Sequence, residues 1–326
     1  LSGGASEDGS GFNVDLLAGA SDVDTGAVLS IANLQFTGDA SGITVNGTSL
    51  TVDPSAYNHL ALNQNEIISY TYNVEGEHGA SVPQTATITI TGANDAPFVT
   101  SANVTEVVED GALEVISLLA GISDPDNGAS LQAIQIEQTP YGVVFNYSNS
   151  TLSVFPTAFN YLAKGEILIL THDFVVEDEH HEIINQTATI RITGTNDQPT
   201  ISGNISAPAT EDDSAFSVDL LAGASDPDSL DILSVDPASV IISGDASGIT
   251  LNGNDLDVDP SAYAYLAAGV PAVITYHYNI IDGEGGSVAQ TATITITGTN
   301  HAPTVLAALS DTIGEDAGIS VDLLAG

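Results

Sequence analysis

Carboxylates recur in this chain in a few fixed settings, and the recurrence marks where chemistry would lie. An adjacent Glu-Asp pair stands at Glu7-Asp8, Glu109-Asp110, Glu211-Asp212 and Glu315-Asp316, at intervals of 102, 102 and 104 residues. Two aspartates one residue apart stand at Asp22/Asp24, Asp124/Asp126 and Asp226/Asp228. Asp53 and Asp259 each precede a proline. Acidic turns read EGEHG over 75–79, EDEHH over 177–181 and DGEGG over 282–286. A recurring strand, QTATITIT in its first copy, runs on into Asn94-Asp95, Asn196-Asp197 and Asn300-His301. Carboxylates mixed with Asn and backbone carbonyls make the irregular, oxygen-rich set that suits Ca²⁺. Mg²⁺ fits less well, because it demands a tight octahedron and keeps its waters.

Composition narrows what such a set can serve. The 326 residues carry a formal charge of −41, from 43 acids against only Lys164 and Arg191. Hydrophobic residues still make up 43% of the chain, so it has the means to fold. A compact body of that charge repels itself unless salt screens it or cations bind. Nucleic acid and anionic membrane surfaces are excluded as partners, since nothing basic is present to displace counterions. The absence of cysteine removes disulfides, zinc thiolates and thiol nucleophiles. No apolar run reaches the length of a membrane span, and LSGGASEDGSGF at the start does not read as a signal peptide. No GxSxG, HExxH or phosphate-cradling glycine loop occurs. Acid pairs that return every hundred residues at element ends do not describe one active site, so no enzyme is expected.

The elements that must position these acids are β-strands. TATITIT over 85–91 and ISYTYNV over 68–74 alternate with a period of two, and Gly, Asn, Asp and Ser punctuate the chain between such runs. About seven strands in about 100 residues predict an immunoglobulin-like β-sandwich, repeated in tandem end to end as a rod. The expected boundaries are 1–95, 96–197, 198–301 and a partial fourth copy over 302–326. SAYNHLAL over 55–62 and its equivalents are expected to form one or two helical turns. Copy one has only six residues before Glu7, so its first strand is expected to be incomplete. A neighbouring chain's 302–313 could complete it by strand donation.

In such a sandwich Glu-Asp and the Asp-Pro corner lie at the exit end. The two-aspartate motif and the acidic turn lie at the entry end. The first junction should then gather Glu7, Asp53, Asn94, Asp95, Asp124 and Asp126, with Glu177 or Glu179. The second should gather Glu109, Asn196, Asp197, Asp226, Asp228, Asp282 and Glu284. Glu211, Asp259 and Asn300 belong to the third, and Asp22 and Asp24 to the entry end of copy one. Calcium at these linkers would stiffen the chain, with proline beyond the linker restricting φ. Phe155 replaces the corner aspartate in copy two and His301 the linker aspartate in copy three. Tyr57 and Tyr263, with Phe159 between them, are candidates for a tyrosine corner.

TGANDAP and TGTNDQP closing a repeat, with LLAGASDPD and VDPSAY inside it, resemble the VCBS and cadherin-like repeats of large bacterial surface adhesins of the RTX, type I-secreted class. The resemblance covers the whole chain. It implies immunoglobulin-like extender domains outside the cell with calcium at the linkers, the Asn-Asp pair, two-aspartate motif and early Glu serving as ligands. No GGxGxDxUx nonapeptide is present. The expected function is an extender holding a distal binding module away from the cell, its partners being neighbouring repeats and, in a filament, identical chains. A self-assembling sheath and a ligand-binding array are the alternatives. The array is disfavoured because no Trp is present and aromatics are only 6% of residues.

Overall fold

A computed structural model describes residues 1–304, together with 315, 320 and 322. Two compact units emerge: Leu1–Asn160 with Gly165–Thr195, and Tyr161–Lys164 with Asn196–Gly326. The first unit holds two repeats and the second holds the third. The proposed strand donor over 302–313 and the start of a fourth copy fall almost wholly outside the described residues.

Copy one sets the pattern. Its strands are β1 (Ser2–Ser6), β2 (Phe12–Asp15), β3 (Leu29–Thr37), β4 (Ile43–Asn46), β5 (Ser49–Val52), β6 (Asn65–Gly76) and β7 (Ser81–Thr91). One sheet has the order β1-β7-β6-β3 and the other β2-β5-β4. β1 runs parallel to β7, from Ser2 opposite Thr87 to Ser6 opposite Thr91. The predicted alternation is what builds the core. Ala86, Ile88 and Ile90 of β7 are fully buried against Leu50, Val52, Tyr57 and Ile68, while the threonines between them face outward. Burying one such isoleucine stabilises the fold by about 1.5–3 kcal/mol.

Copies two and three repeat this arrangement. Copy two joins Gln132–Gln135, Ile167–Glu177, Ile183–Thr193 and Asn103–Val108 in one sheet, and Glu114–Ser117, Thr151–Val154 and Val143–Asn146 in the other. In copy three the equivalents are Ser234–Ser243, Pro271–Ile281, Ser287–Thr297 and Ile205–Thr210, then Phe216–Asp219, Asp255–Val258 and Ile249–Asn252. The first strand of these copies is split. Phe98–Val99 pairs antiparallel with Ile122–Ser123, and Thr200–Ile201 with Ala224–Ser225, before the chain crosses to run parallel to the last strand. In copy one the parallel part of that strand is present as β1.

The expected helical turns are single 3₁₀ turns at Pro54–Tyr57, Pro156–Phe159 and Pro260–Tyr263, and no α-helix occurs among the described residues. Each turn inserts an aromatic ring into the core at Tyr57, Phe159 or Tyr263. The Tyr57 hydroxyl donates to the Asp39 carbonyl at 2.8 Å and that of Tyr263 to the Asp245 carbonyl at 2.7 Å. Gly42 must lack a side chain here, because a Cβ would lie 2.6 Å from the Tyr57 ring and 2.5 Å from the Asp53 carbonyl.

Candidate metal centre

The first unit assembles its acids from three segments. Asp124 opens an Asx turn in which its Oδ1 accepts the Asp126 N–H at 2.9 Å. That turn points Asp126 back at the linker, where its Oδ2 accepts the Asp95 N–H at 3.2 Å. Glu7 follows β1, its own N–H donating to the Thr91 carbonyl and its Oε1 accepting the Ala93 N–H at 2.7 Å. The Asn127 N–H donates to the His59 carbonyl at 2.9 Å, tying the turn of copy two to copy one.

Glu7, Asp95 and Asp126 thereby bring one carboxylate oxygen each within 4.8 Å of the others. Each of these three carboxylates also turns a buried oxygen to no hydrogen-bond partner: Glu7 Oε2, Asp95 Oδ2 and Asp126 Oδ1, joined by Asp124 Oδ2. Two unit charges at that separation repel by on the order of 3 kcal/mol at an effective dielectric constant of about 20. Burial pushes the carboxyls of Glu7, Asp95, Asp124 and Asp126 above their ordinary range, and neighbouring acids push the same way. A hard cation reverses that logic by giving the orphaned oxygens a partner. The donor set is all oxygen, and backbone N–H groups hold the other oxygens of Glu7, Asp124 and Asp126 in place. These residues fit Ca²⁺.

The other expected ligands make local contacts. Asp53 and Asp259 cap the 3₁₀ turns, their Oδ1 atoms accepting from the N–H and hydroxyl of Ser55 and Ser261. Phe155 offers no such cap. Glu177 lies 3.4 Å from His181 Nδ1, and Glu179 accepts the Ser130 N–H at 2.7 Å. The acid between them, Asp178, was not singled out by sequence, yet it is the buried one. Its Oδ2 accepts Asn94 Nδ2 at 2.8 Å and its Oδ1 accepts the N–H groups of His180 and Glu182. Burial alone would raise its pKa, but these hydrogen bonds hold it below the ordinary carboxylate value. Asp178 and Asp282 are both the first residue after the penultimate strand of the repeat, a correspondence visible once the hairpins are in register. Gly76, which ends β6, stands there in copy one. Asp22 and Asp24 form the same Asx turn in copy one but remain exposed.

The second unit contains a parallel set. Asp226 Oδ1 accepts the Asp228 N–H at 3.0 Å, Asp228 Oδ2 accepts the Asp197 N–H at 3.0 Å, and Asn196 Nδ2 donates to Asp282 at 2.9 Å. Asp226, Asp231 and Asp282 place oxygens within 4.8 Å of one another. Asp226 Oδ2, Asp228 Oδ1 and Asp231 Oδ2 are buried without a partner, and burial raises all three carboxyls. Asp231 has no acidic counterpart in the other copies, where Ala27 and Ala129 occupy its place, so the repeat pattern could not reveal it. Glu284 instead pairs with Lys164 at 3.6 Å.

At the exit ends, Glu109 accepts the Thr195 N–H and Glu211 that of Thr299, and Asp110 and Asp212 accept the hydroxyls of the same threonines. In copy three His301 Nε2 lies 3.0 Å from Glu211 Oε1 and 3.5 Å from Asp212, beside the exposed Asn300.

A family model described as a cadherin-like domain matches residues 93–193 and 195–297. The chain is similar to a solved structure of mouse cadherin-23 EC22-24, at 14% identity and a TM-score of 0.44, over 91% of this chain and 95% of that one. It is also similar to Drosophila N-cadherin EC1-4, at 13% identity and a TM-score of 0.35, over 92% of this chain and 73% of that one. No curated protein matches it.

Proposed function

The chain belongs to the cadherin-like domain family, and from that premise we propose that it is a calcium-stiffened extender of a large bacterial surface adhesin, working outside the cell. The reading rests on one observation above the others: Glu7, Asp95 and Asp126 bring carboxylate oxygens within 4.8 Å of one another where copy one meets copy two, and these three and Asp124 each keep a buried oxygen with no hydrogen-bond partner. Glu7 comes from copy one, Asp95 from the linker and Asp124 and Asp126 from copy two, so an ion held there would tie three segments across one joint. Bound calcium supplies charge neutralisation and a rigid cross-link. The protein aims the oxygens through the Asx turn and the N–H groups of Ala93 and Asp95. The composition of the repeats, with TGANDAP and TGTNDQP closing them, supports the VCBS and RTX-type assignment.

An ion that binds only the folded form stabilises it by mass action, roughly 2.7 kcal/mol at a hundredfold excess over Kd. Calorimetry and an element-resolved metal count on the full chain test the reading. Calcium should bind in ratio to the clusters and raise the melting temperature. A metal-free preparation that neither takes up calcium nor melts differently in its presence refutes it.

A further inference from the structure

The three copies differ in how they treat one sheet edge. In copy one, β3 continues past a bulge at Asn33 to pair Gln35, Phe36 and Thr37 with Thr71, Tyr70 and Ser69. Copy three does the same, pairing Ile241, Ile242 and Ser243 with His277, Tyr276 and Thr275. Just beyond, Gly38 and Gly244 pass so close to the carbonyls of Ile67 and Val273 that a Cβ would lie 2.5 and 2.4 Å from them, so the chain stays over that edge there. In copy two the corresponding strand stops at Gln135, opposite Phe174. Residues 136–142 form no strand, and Ile167–Asp173 pair only with Ile183–Thr193 on their other side.

Backbone groups alternate sides along a strand. The Asp173 N–H faces the open side, where the Glu137 carboxylate accepts it at 2.7 Å. The N–H and C=O groups of Thr171, Ile169 and Ile167 therefore face the open side too. Their side chains lie on the exposed sheet face, with Ile167 at 50% and Ile169 at 53% exposure. Native proteins cover or charge such edges, because an open β-branched strand templates another. Two copies of this repeat cover theirs. Copy two does not.

We propose that the Ile167–Thr171 edge of copy two is a docking site for an added β-strand from a cationic partner, an extended segment alternating β-branched residues with Lys or Arg. Main-chain pairing would provide the affinity, and the row of Ile167 and Ile169 a seat for alternate side chains. Charge decides the occupant. Glu137, Glu166 and Asp173 border the edge, and the nearby Arg191 is engaged with Glu106 at 3.0 Å. A second copy would bring another −41 against it, whereas a basic strand is drawn in.

The test uses the full chain with calcium at physiological salt and a dye-labelled alternating Lys-Val peptide of about twelve residues, followed by fluorescence anisotropy. An alternating Lys-Pro peptide of equal charge is the control, since its prolines lack N–H groups. The Lys-Val peptide should bind about tenfold more tightly, the effect of a few strand hydrogen bonds. Ile169→Pro and Thr171→Pro each remove one N–H on the open side and none from the ladder to Ile183–Thr193, and each should abolish that preference. In the wild-type chain the amides of Ile169 and Thr171 should gain hydrogen-exchange protection on peptide addition. Equal binding of both peptides, or unchanged exchange at those amides, overturns the proposal. So does self-association without peptide that Ile169→Pro abolishes, which would assign the edge to a second copy.

Discussion

His172 lies at the centre of the buried face of copy two, fully enclosed, with neither ring nitrogen hydrogen-bonded. Tyr70 and Tyr276 hold the equivalent positions in copies one and three, also buried. Burial pushes the His172 pKa below its ordinary value. The Glu137 carboxylate, 3.6 Å from Nδ1, and Asp173 oppose that shift, but both are exposed and screened. The folded chain therefore carries this ring neutral, while the unfolded chain protonates it near pH 6.5. Because the unfolded state takes up the proton first, stability is present at neutral pH and lost as pH falls through about 6.5 towards the lower folded value. Between pH 7.5 and 5.5 the loss has an upper limit of about 1.4 kcal/mol, set by a folded ring that stays neutral at both. For a repeat of about a hundred residues that limit is a melting shift of roughly 5–10 °C. His172→Tyr installs the sister residue and should remove that increment. The assay is differential scanning calorimetry of wild type and variant at both pH values in excess calcium, so that the carboxylates cancel in the difference between the two proteins. If the gap between wild type and variant is the same at pH 7.5 and 5.5, the reasoning is wrong.

Three further outcomes concern the acids. Glu7→Gln mimics the neutral carboxyl that burial favours. A raised folded pKa means stability present at low pH and lost as pH rises through it, so at pH 7 the metal-free variant should melt higher than wild type and gain less from calcium; thermal melts with and without chelator check this crossing. Asp178→Ala strands the Asn94 amide and the N–H groups of His180 and Glu182, and should cost about 1–3 kcal/mol even without calcium, measured by urea denaturation. Asp53→Ala should cost about 1 kcal/mol as a lost cap and leave the calcium response unchanged; a diminished calcium-induced melting shift would return Asp53 to the metal site.

Residues alone determined the repeat, the two-residue periodicity and hence the tandem sandwiches. These follow from local sterics and from apolar side chains recurring on one face, both written along the chain. They also marked Glu7, Asp95 and Asp126, whose oxygens the fold brings within 4.8 Å of one another, because acids repeated at matching positions stand out against solvated loop acids. Which carboxylate of an acidic turn points inward depended on where the hairpin closes. Glu177, Asp178 and Glu179 are equivalent on paper, and the ladder ending at Glu177 opposite Ile183 left Asp178 as the first residue of the turn and turned it inward. Asp53 read as a ligand by its position near the domain end, and in the fold its Oδ1 accepts the Ser55 N–H two residues on. Asp231 entered its cluster through the fold of a single copy, with no repeat to announce it. The open edge beside Ile169 was likewise invisible in sequence, since ILILT looks like any core strand until its neighbour stops at Gln135. Pairing partners are set by register between distant strands, and register exists only once the sheets have closed.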